Sequence, residues 1–263
     1  MTVPAGSGSA PSGKPRPELT LVVPFFNPGP TVRRTVERAA AALGQEGISF
    51  QIIAVSDGST DDSVASLAGV LPGQLETVPL ALNRGKGFAV RTGLARATGV
   101  FVGFIDADGD IPPEVLPDFV VAARNTGADI CFGSKSHPQA HVEVPPVRRL
   151  SSWAYRWVVR VLFQLSVRDT QTGVKIMRDE VARAVLPHLV EDRFVLDVEL
   201  FVVAQRLGYR HFVELPIPMN GRYRSTVSAR SALVIMADTL KVFWRLKVLS
   251  RQPSDDGSQG RFA

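Results

Sequence analysis

The sequence is poor in cysteine and in long apolar runs. Cys131 is the one cysteine among 263 residues, which excludes a disulfide within the chain. Its apolar neighbours in residues 128–133 are typical of a buried strand, so we expect an inert thiol rather than a nucleophile. No uninterrupted apolar run reaches the roughly 18 to 20 residues that a membrane-spanning helix needs. Any contact with a membrane is therefore expected to be peripheral.

The two ends of the chain contain few apolar residues. Residues 1–17 are rich in glycine, serine and proline and lack the apolar core of a secretory signal, so we expect a disordered tail and a cytosolic protein. The polar residues 252–263 predict a second disordered tail. Between them we expect one α/β domain over 18–229 and an amphipathic helix over 230–251, because the chain is 45% hydrophobic and long enough for one sizeable core.

From residue 19 onward, short apolar runs rich in β-branched residues alternate with helical patterns. This alternation is typical of a mostly parallel sheet covered by helices, and there is no internal repeat. The clearest predicted strands are 19–23, 51–55, 100–105 and 128–132. The helices predicted between and after them are 31–43, 61–71, 87–97 and 113–124. Beyond residue 132 the pattern predicts a helix at about 150–167, two further helices and a strand near 211–215.

Three carboxylates follow a near-continuous apolar run, at Asp106, Asp108 and Asp110. Ligands of open α/β sheets bind at the carboxyl ends of the strands, and like charges this close repel unless a cation or a proton holds them together. Carboxylate oxygens suit Mg²⁺ or Mn²⁺ bound to a diphosphate. The pattern therefore favours a metal site, with an acidic turn that caps the next helix as the alternative.

Two other segments join a predicted strand or loop to a helix. Asp57 ends a strand and would accept a hydrogen bond from a base or a ribose, while Gly58 lets the chain turn close to the ligand. The same pair is also ordinary turn chemistry. In residues 83–87, two glycines flank Lys86 ahead of a helix, where backbone N–H groups and a cation can meet phosphate oxygens. The spacing is not that of a Walker motif.

These three segments, with Val-Pro-Phe-Phe-Asn at 23–27, resemble the family-two glycosyltransferases of GT-A fold. Residues 167–175 and 194–200 resemble the dolichyl-phosphate glucosyltransferase and polyprenyl-phosphate glycosyltransferase branch, and the resemblance extends over about 19–249. It implies a GT-A, Rossmann-like fold with C-terminal amphipathic helices. It also implies metal-dependent transfer of a sugar, UDP-glucose being favoured, from a nucleotide diphosphate to polyprenyl monophosphate with inversion, using Mg²⁺ or Mn²⁺.

The resemblance also implies roles for particular residues. The donor-binding residues are Pro24, Phe26, Asp57, Lys86 and Asp106, and the metal ligands are Asp106, Asp108 and Asp110. The residues for the acceptor phosphate are Lys135, Arg148 and Ser152. The residues expected at the reacting centre are Asp108, Asp197 and Glu199, of which the last two occupy the position of the base in hydroxyl-acceptor relatives. Two departures from the family pattern are Ser56, in place of an acid, and Pro28, in place of a glutamate.

A lipid monophosphate is already anionic at pH 7, so positioning and charge stabilisation should dominate its glycosylation, without a general base. Asp197 and Glu199 would then orient groups of the site, or simply lie on a helix surface. The alternatives are transfer to a hydroxyl with Asp197 as base, and a non-catalytic nucleotide-sugar-binding or membrane-surface protein. The clustered acids argue against nucleic acid as a partner, because they repel phosphate unless a metal intervenes.

The predicted helix at 150–167 carries an arginine-rich stripe and a separate stripe that includes Trp157 and Val161, which is typical of an interfacial helix. The last helix, 232–249, exposes a broad apolar surface with Trp244 and a basic end. Together with a net charge of +5, these helices favour peripheral association with the cytosolic face of a membrane. Packing of both helices on the protein's own core is the alternative.

Overall fold

The structure is a computed structural model that describes residues 15–135, 137, 155, 157–165, 167, 169–218 and 229–249, with side chains of the last range described at 236–247. Its strands are β1 Leu19–Phe25, β2 Phe50–Ser56, β3 Leu75–Pro79, β4 Phe101–Ile105, β5 Ile130–Ser134, β6 Val174–Arg178 and β7 Phe212–Pro216. Its helices are α1 Thr31–Gln45, α2 Lys86–Leu94, α3 Leu116–Thr126, α4 at 157–163, α5 Asp179–Val185, α6 Leu196–Arg206 and α7 Ala229–Leu249. Short 3₁₀ turns lie at Ala65–Leu67, Pro113–Val115 and Leu186–His188.

The seven strands form one mixed sheet in the order β3-β2-β1-β4-β6-β5-β7. Strands β1, β2, β3 and β4 are parallel, β5 is parallel to β7, and β6 runs antiparallel to both of its neighbours. Every residue of β1 and β4 is buried, which explains their near-continuous apolar sequences. Since β1 lies between β2 and β4, the carboxyl ends of these three strands border the crevice in which open sheets bind ligands.

Helices cover both faces of the sheet. On one face, Val36 of α1 and Phe119 of α3 belong to one core cluster. On the other face, residues of α2, α4, α5, α6 and α7 form the second cluster, in which Val242 of α7 is fully buried. The predicted α/β class with a mostly parallel sheet is therefore confirmed. No helix in the part of the chain that the structure describes is both long and apolar enough to cross a bilayer.

The helix predicted at 61–71 is wrong, since only Ala65–Leu67 is helical there and that turn is 3₁₀. The Asp61 carboxylate accepts the N–H groups of Gly29 (2.9 Å) and Ser63 (3.1 Å) instead of starting an α-helix. Positive φ angles at Gly69 and Leu71 then turn the chain away. A short side chain that binds local backbone groups competes with helix formation in this way.

Two strands of the sheet were not predicted. β3 has the sequence Leu-Glu-Thr-Val-Pro and lies half exposed at the edge of the sheet, so it lacks the apolar run of a central strand. β6 is central, but Lys175 interrupts its apolar sequence with a charge that is buried completely.

Candidate functional site

Asp57 follows β2 and fixes the loop that precedes α2. Asp57 is 3% exposed, and its carboxylate accepts the backbone N–H groups of Arg84 (2.9 Å) and Gly85 (2.8 Å). Gly58 has a φ of +72°, and a Cβ there would lie 2.6 Å from the nitrogen of Asn83, so the sharp turn requires glycine. Each carboxylate oxygen has a second lone pair, so these backbone contacts do not use the whole acceptor capacity of Asp57.

The loops after β1 and β2 are joined side by side. The N–H of Asn27 donates to Ser59 Oγ (3.1 Å), and the N–H of Thr60 donates to Asn27 Oδ1 (2.8 Å). This pairing holds Phe26 half exposed at the rim of the crevice, while Pro24 is buried within β1. Of these two predicted donor residues, Phe26 therefore offers an accessible side chain to a ligand.

Four charged side chains meet behind the crevice in a chain of ion pairs. Lys86 Nζ lies 2.7 Å from Asp106 Oδ1 and 3.6 Å from Asp197 Oδ2. Lys175 Nζ lies 2.6 Å from Asp197 Oδ1 and donates to the carbonyl oxygen of Thr172 (2.7 Å). Strand β4, helix α2, strand β6 and helix α6 thus each deliver one charge to the same place.

Burial and charge act in opposite directions on these groups. Burial would lower the pKa of Lys86, but Asp106 and Asp197 outweigh it and raise that pKa, so Lys86 stays cationic. Burial lowers the pKa of Lys175 despite the attraction of Asp197, because the lysine is fully enclosed and faces the rings of Phe104 and Phe201. Burial also raises the pKa of Asp106 against the effect of Lys86.

The other two acids of the predicted metal site lie in a tight turn after β4. The N–H of Asp110 donates to Asp108 Oδ1 (3.0 Å), and Gly109 has a φ of +77°. Asp108 is exposed, and neither acid forms an ion pair with another described residue. Among the described ranges, no group of three or more His, Cys, Asp or Glu side chains is arranged to hold a metal ion. The donor set still fits Mg²⁺ or Mn²⁺ if a diphosphate supplies further oxygens.

A second set of polar contacts joins the end of β5 to α7. The N–H of Lys135 donates to Asp169 Oδ2 (3.2 Å), and Asp169 Oδ1 accepts the N–H of Gln171 (3.3 Å). Gln171 Nε2 donates to the hydroxyl of Tyr155 (3.2 Å), which pairs with Thr239 Oγ1 of α7 (3.0 Å). No role is predicted for Asp169 from the sequence, although this residue lies within residues 167–175, which carry part of the family resemblance.

Two of the three predicted acceptor residues, Arg148 and Ser152, lie outside the described residues. Lys135 is described and lies directly after β5, at the carboxyl edge of that strand. Its half-buried side chain sits on the loop that Asp169 holds.

Asp197 and Glu199 do not act on the same groups. They are two residues apart on α6, which places their side chains about 200° apart around the helix axis. Glu199 is fully buried and accepts the N–H groups of Val190 (3.1 Å) and Glu191 (2.9 Å). It also forms an ion pair with Arg245 of α7. The structure therefore brings Asp197 to the lysine-rich centre and Glu199 to the C-terminal helix.

A sheet of this order, with helices on both faces, defines an α/β fold of the GT-A type. The chain belongs to the family described as Glycosyl transferase family 2, whose sequence profile matches residues 20–182.

Several relatives carry curated names. A dolichyl-phosphate beta-glucosyltransferase of Drosophila melanogaster is 29% identical over 209 residues, covering 73% of this chain and 64% of the relative. The enzyme of the same name from Saccharomyces cerevisiae is 26% identical, covering 76% and 66%. Glycosyltransferase AglD of Haloferax volcanii is 25% identical, covering 89% of this chain and 38% of the relative. The chain thus spans about two thirds of the glucosyltransferases and much less of AglD.

Solved structures of similar fold include glucosyl-3-phosphoglycerate synthase from Mycobacterium tuberculosis. Its complex with phosphoglyceric acid has a TM-score of 0.64 at 18% identity, covering 87% of this chain and 80% of that one. Its complex with Mn²⁺, uridine diphosphate and phosphoglyceric acid has the same TM-score and identity, covering 86% and 78%. At this identity the likeness establishes the fold.

Proposed function

We propose that the protein transfers a glucosyl group from UDP-glucose to the phosphate of a polyprenyl monophosphate, using Mg²⁺ or Mn²⁺ and inverting the anomeric centre. Membership of glycosyl transferase family 2 supports sugar transfer. The dolichyl-phosphate beta-glucosyltransferases among its relatives support a lipid phosphate as acceptor and glucose as the sugar.

The state of Asp197 is the observation that carries the choice of acceptor. Transfer to a hydroxyl needs a carboxylate that can take up the proton. Asp197, the candidate for this role, is 3% exposed and lies between two lysines, with Lys175 at 2.6 Å and Lys86 at 3.6 Å. Both oxygens of this buried carboxylate already face a lysine, which leaves little access for a substrate hydroxyl, whereas a phosphate monoester needs no base. This arrangement favours an acceptor that arrives already ionised.

In the proposed reaction, an oxygen of the acceptor phosphate attacks the anomeric carbon from the side opposite the nucleotide. The bond between that carbon and the donor's phosphate oxygen breaks, and the nucleoside diphosphate leaves with the electron pair. Asp106, Asp108 and Asp110 would hold a divalent ion, which supplies charge stabilisation for the departing diphosphate. Lys86, which remains cationic, adds a fixed positive charge beside Asp106.

For the lipid, we propose that α4 and α7 rest on the cytosolic face of a membrane. On α4, Trp157 and Val161 are one turn apart and more than half exposed. On α7, Leu240 and Trp244 have the same spacing and are 41% and 63% exposed. The opposite faces of both helices are buried in the core, as Val159 and Val242 illustrate. Helices that bury one face in the core and expose apolar side chains on the other face suit a position at the membrane interface.

The test is transfer of label from radioactive UDP-glucose into the organic phase with polyprenyl monophosphate and Mn²⁺, alongside UDP-N-acetylglucosamine and GDP-mannose. Asp108→Asn should abolish the transfer, and Asp118→Asn, an exposed acid on α3, is the matched control that should not. Labelling from another donor would replace glucose in the proposal. If no donor labels the lipid while an acceptor with a sugar hydroxyl becomes labelled, the lipid-phosphate proposal is wrong.

A further inference from the structure

The segment 190–193 packs directly against residues 84–88, which are the end of the loop before α2 and its first turn and include Lys86; we call residues 84–88 the donor loop. The N–H of Phe88, in the first turn of α2, donates to the carbonyl oxygen of Asp192 (3.1 Å). A Cβ at Gly87 would lie 2.5 Å from the carbonyl oxygen of Glu191, and one at Gly85 would overlap the carbonyl of Asp192. The two glycines on either side of Lys86 are therefore required by this contact, in addition to any contact with a phosphate.

The side chain of Asp192 strengthens the same contact. It pairs with Arg84 at 3.1 Å and with Arg91, on the two sides of Phe88. Arg91 also donates to the carbonyl oxygen of Leu189 (2.7 Å), and the Arg84 guanidinium lies 3.6 Å from the centre of the Phe88 ring. The segment is thus bound to the first two turns of α2 by hydrogen bonds and ion pairs.

What holds the segment in turn is a charge pair between the fully buried Glu199 and Arg245, whose side chain is 28% exposed. Glu199 accepts the N–H groups of Val190 and Glu191 and pairs with Arg245 of α7. Arg245 also reaches the Glu191 carboxylate at 3.1 Å, so one guanidinium binds both glutamates. We define the pair Glu199 and Arg245 as the clamp.

We propose that the clamp positions the donor loop: Arg245, on the C-terminal helix, and Glu199 hold segment 190–193 against Gly85 and Gly87 and so keep Lys86 at Asp106. Neither residue touches the reacting atoms. They are positioning residues, and for Glu199 this specifies the orienting role that the sequence analysis expected of it. The proposal rests on the proposed function only in taking the Lys86 loop as the donor site.

The structural consequence is measured without any ligand. In Arg245→Met, backbone amides of 84–92 and 190–192 should exchange hydrogen faster than in the wild type, while amides of β1 and α3 keep their rates. Lys241→Met is the matched control, because Lys241 lies one turn earlier on α7, its side chain is 73% exposed and its ion pair at 2.8 Å is with Asp238 of the same helix. Equal exchange at 84–92 in the wild type and in Arg245→Met would overturn the clamp.

The functional consequence is measured by calorimetric titration with UDP and Mn²⁺. Arg245→Met should raise the dissociation constant of UDP by about 2- to 30-fold, and Lys241→Met should leave it unchanged. In transfer assays, the KM for the donor should rise and the KM for the lipid should not, which a general loss of stability would not produce. Failure of the wild type to bind UDP or GDP would count against the proposed function and leave the exchange result to decide on the clamp.

If Arg245→Met does not fold because Glu199 is left unpaired, the double variant Glu199→Gln with Arg245→Met removes both charges and keeps the shape of the glutamate. We expect the double variant to fold and to show the same faster exchange at 84–92. Wild-type exchange in a folded double variant would contradict the proposal.

Discussion

Lys175 and Asp197 form an ion pair in which Nζ lies 2.6 Å from Oδ1, with the lysine side chain 0% and the aspartate side chain 4% exposed. Removing one charge of such a pair leaves the other buried and uncompensated. We therefore expect Asp197→Asn to lower the free energy of unfolding by about 3 to 5 kcal/mol, as measured by urea denaturation. The double variant Lys175→Met with Asp197→Asn should recover most of this loss. A double variant as unstable as the single one would mean that the pair does not account for the destabilisation.

The strands β1, β2, β4 and β5 were predictable because each is an apolar run bounded by polar or turn residues, the pattern that a doubly covered sheet imposes. The same pattern predicted that Asp57 and Asp106 directly follow the ends of β2 and β4. β6 was missed because the buried charge of Lys175 contradicts that pattern. Its stability depends on Asp197, a residue 22 positions away, and no local sequence feature identifies such a partner.

The sequence also could not predict that Asp197 and Glu199 contact different groups. Their spacing places them on opposite sides of a helix, but both sides of α6 are buried, so periodicity gives no direction. Only the folded chain brings Arg245 to Glu199 and the two lysines to Asp197. The residues at strand ends could thus be predicted, whereas their long-range ion pairs could not.

Metal binding should depend on the nucleotide. Among the described residues no cluster of three ligating side chains is ready to hold a metal, and Asp106 is paired with Lys86, so Asp106, Asp108 and Asp110 by themselves offer Mn²⁺ few ligands. We expect the affinity for Mn²⁺, followed by the loss of the free-ion signal in electron paramagnetic resonance, to rise at least about tenfold when UDP is present. Asp108→Asn should remove that increase. Tight Mn²⁺ binding without nucleotide would point to a complete protein cage that includes other residues.

Cys131 predicts a pH dependence of stability. Burial in β5 raises the pKa of its thiol from 9.0 to about 12. Above pH 9 the unfolded chain loses this proton and the folded protein keeps it, so the unfolded state binds fewer protons and stability falls as pH rises. The stabilising contribution is complete below pH 9 and is lost towards pH 12, at a slope of about 1.4 kcal/mol per pH unit.

The measurement is urea unfolding at several pH values for the wild type and Cys131→Ala. Tyrosines and lysines titrate in both proteins, so the difference in unfolding free energy between the two reports on the thiol alone. This difference should be constant below pH 9 and should narrow above it. In addition, the thiol should react with Ellman's reagent only after unfolding, because the side chain is completely buried. Rapid labelling of the native protein would contradict both expectations.

The exposed apolar face of α7 predicts binding to lipid vesicles. Leu240 is 41% exposed on this helix, and Val121 is 40% exposed on α3, on the opposite side of the sheet. If α7 enters the interface, Leu240→Ser should weaken partition into vesicles of phosphatidylcholine and phosphatidylglycerol by up to about tenfold. The variant no longer gains the free energy of moving the leucine side chain from water into the membrane. Val121→Ser should have no effect on partition, which can be measured by vesicle sedimentation. Equal losses in the two variants would mean that binding is unrelated to α7, and the proposed orientation of the protein on the membrane would be wrong.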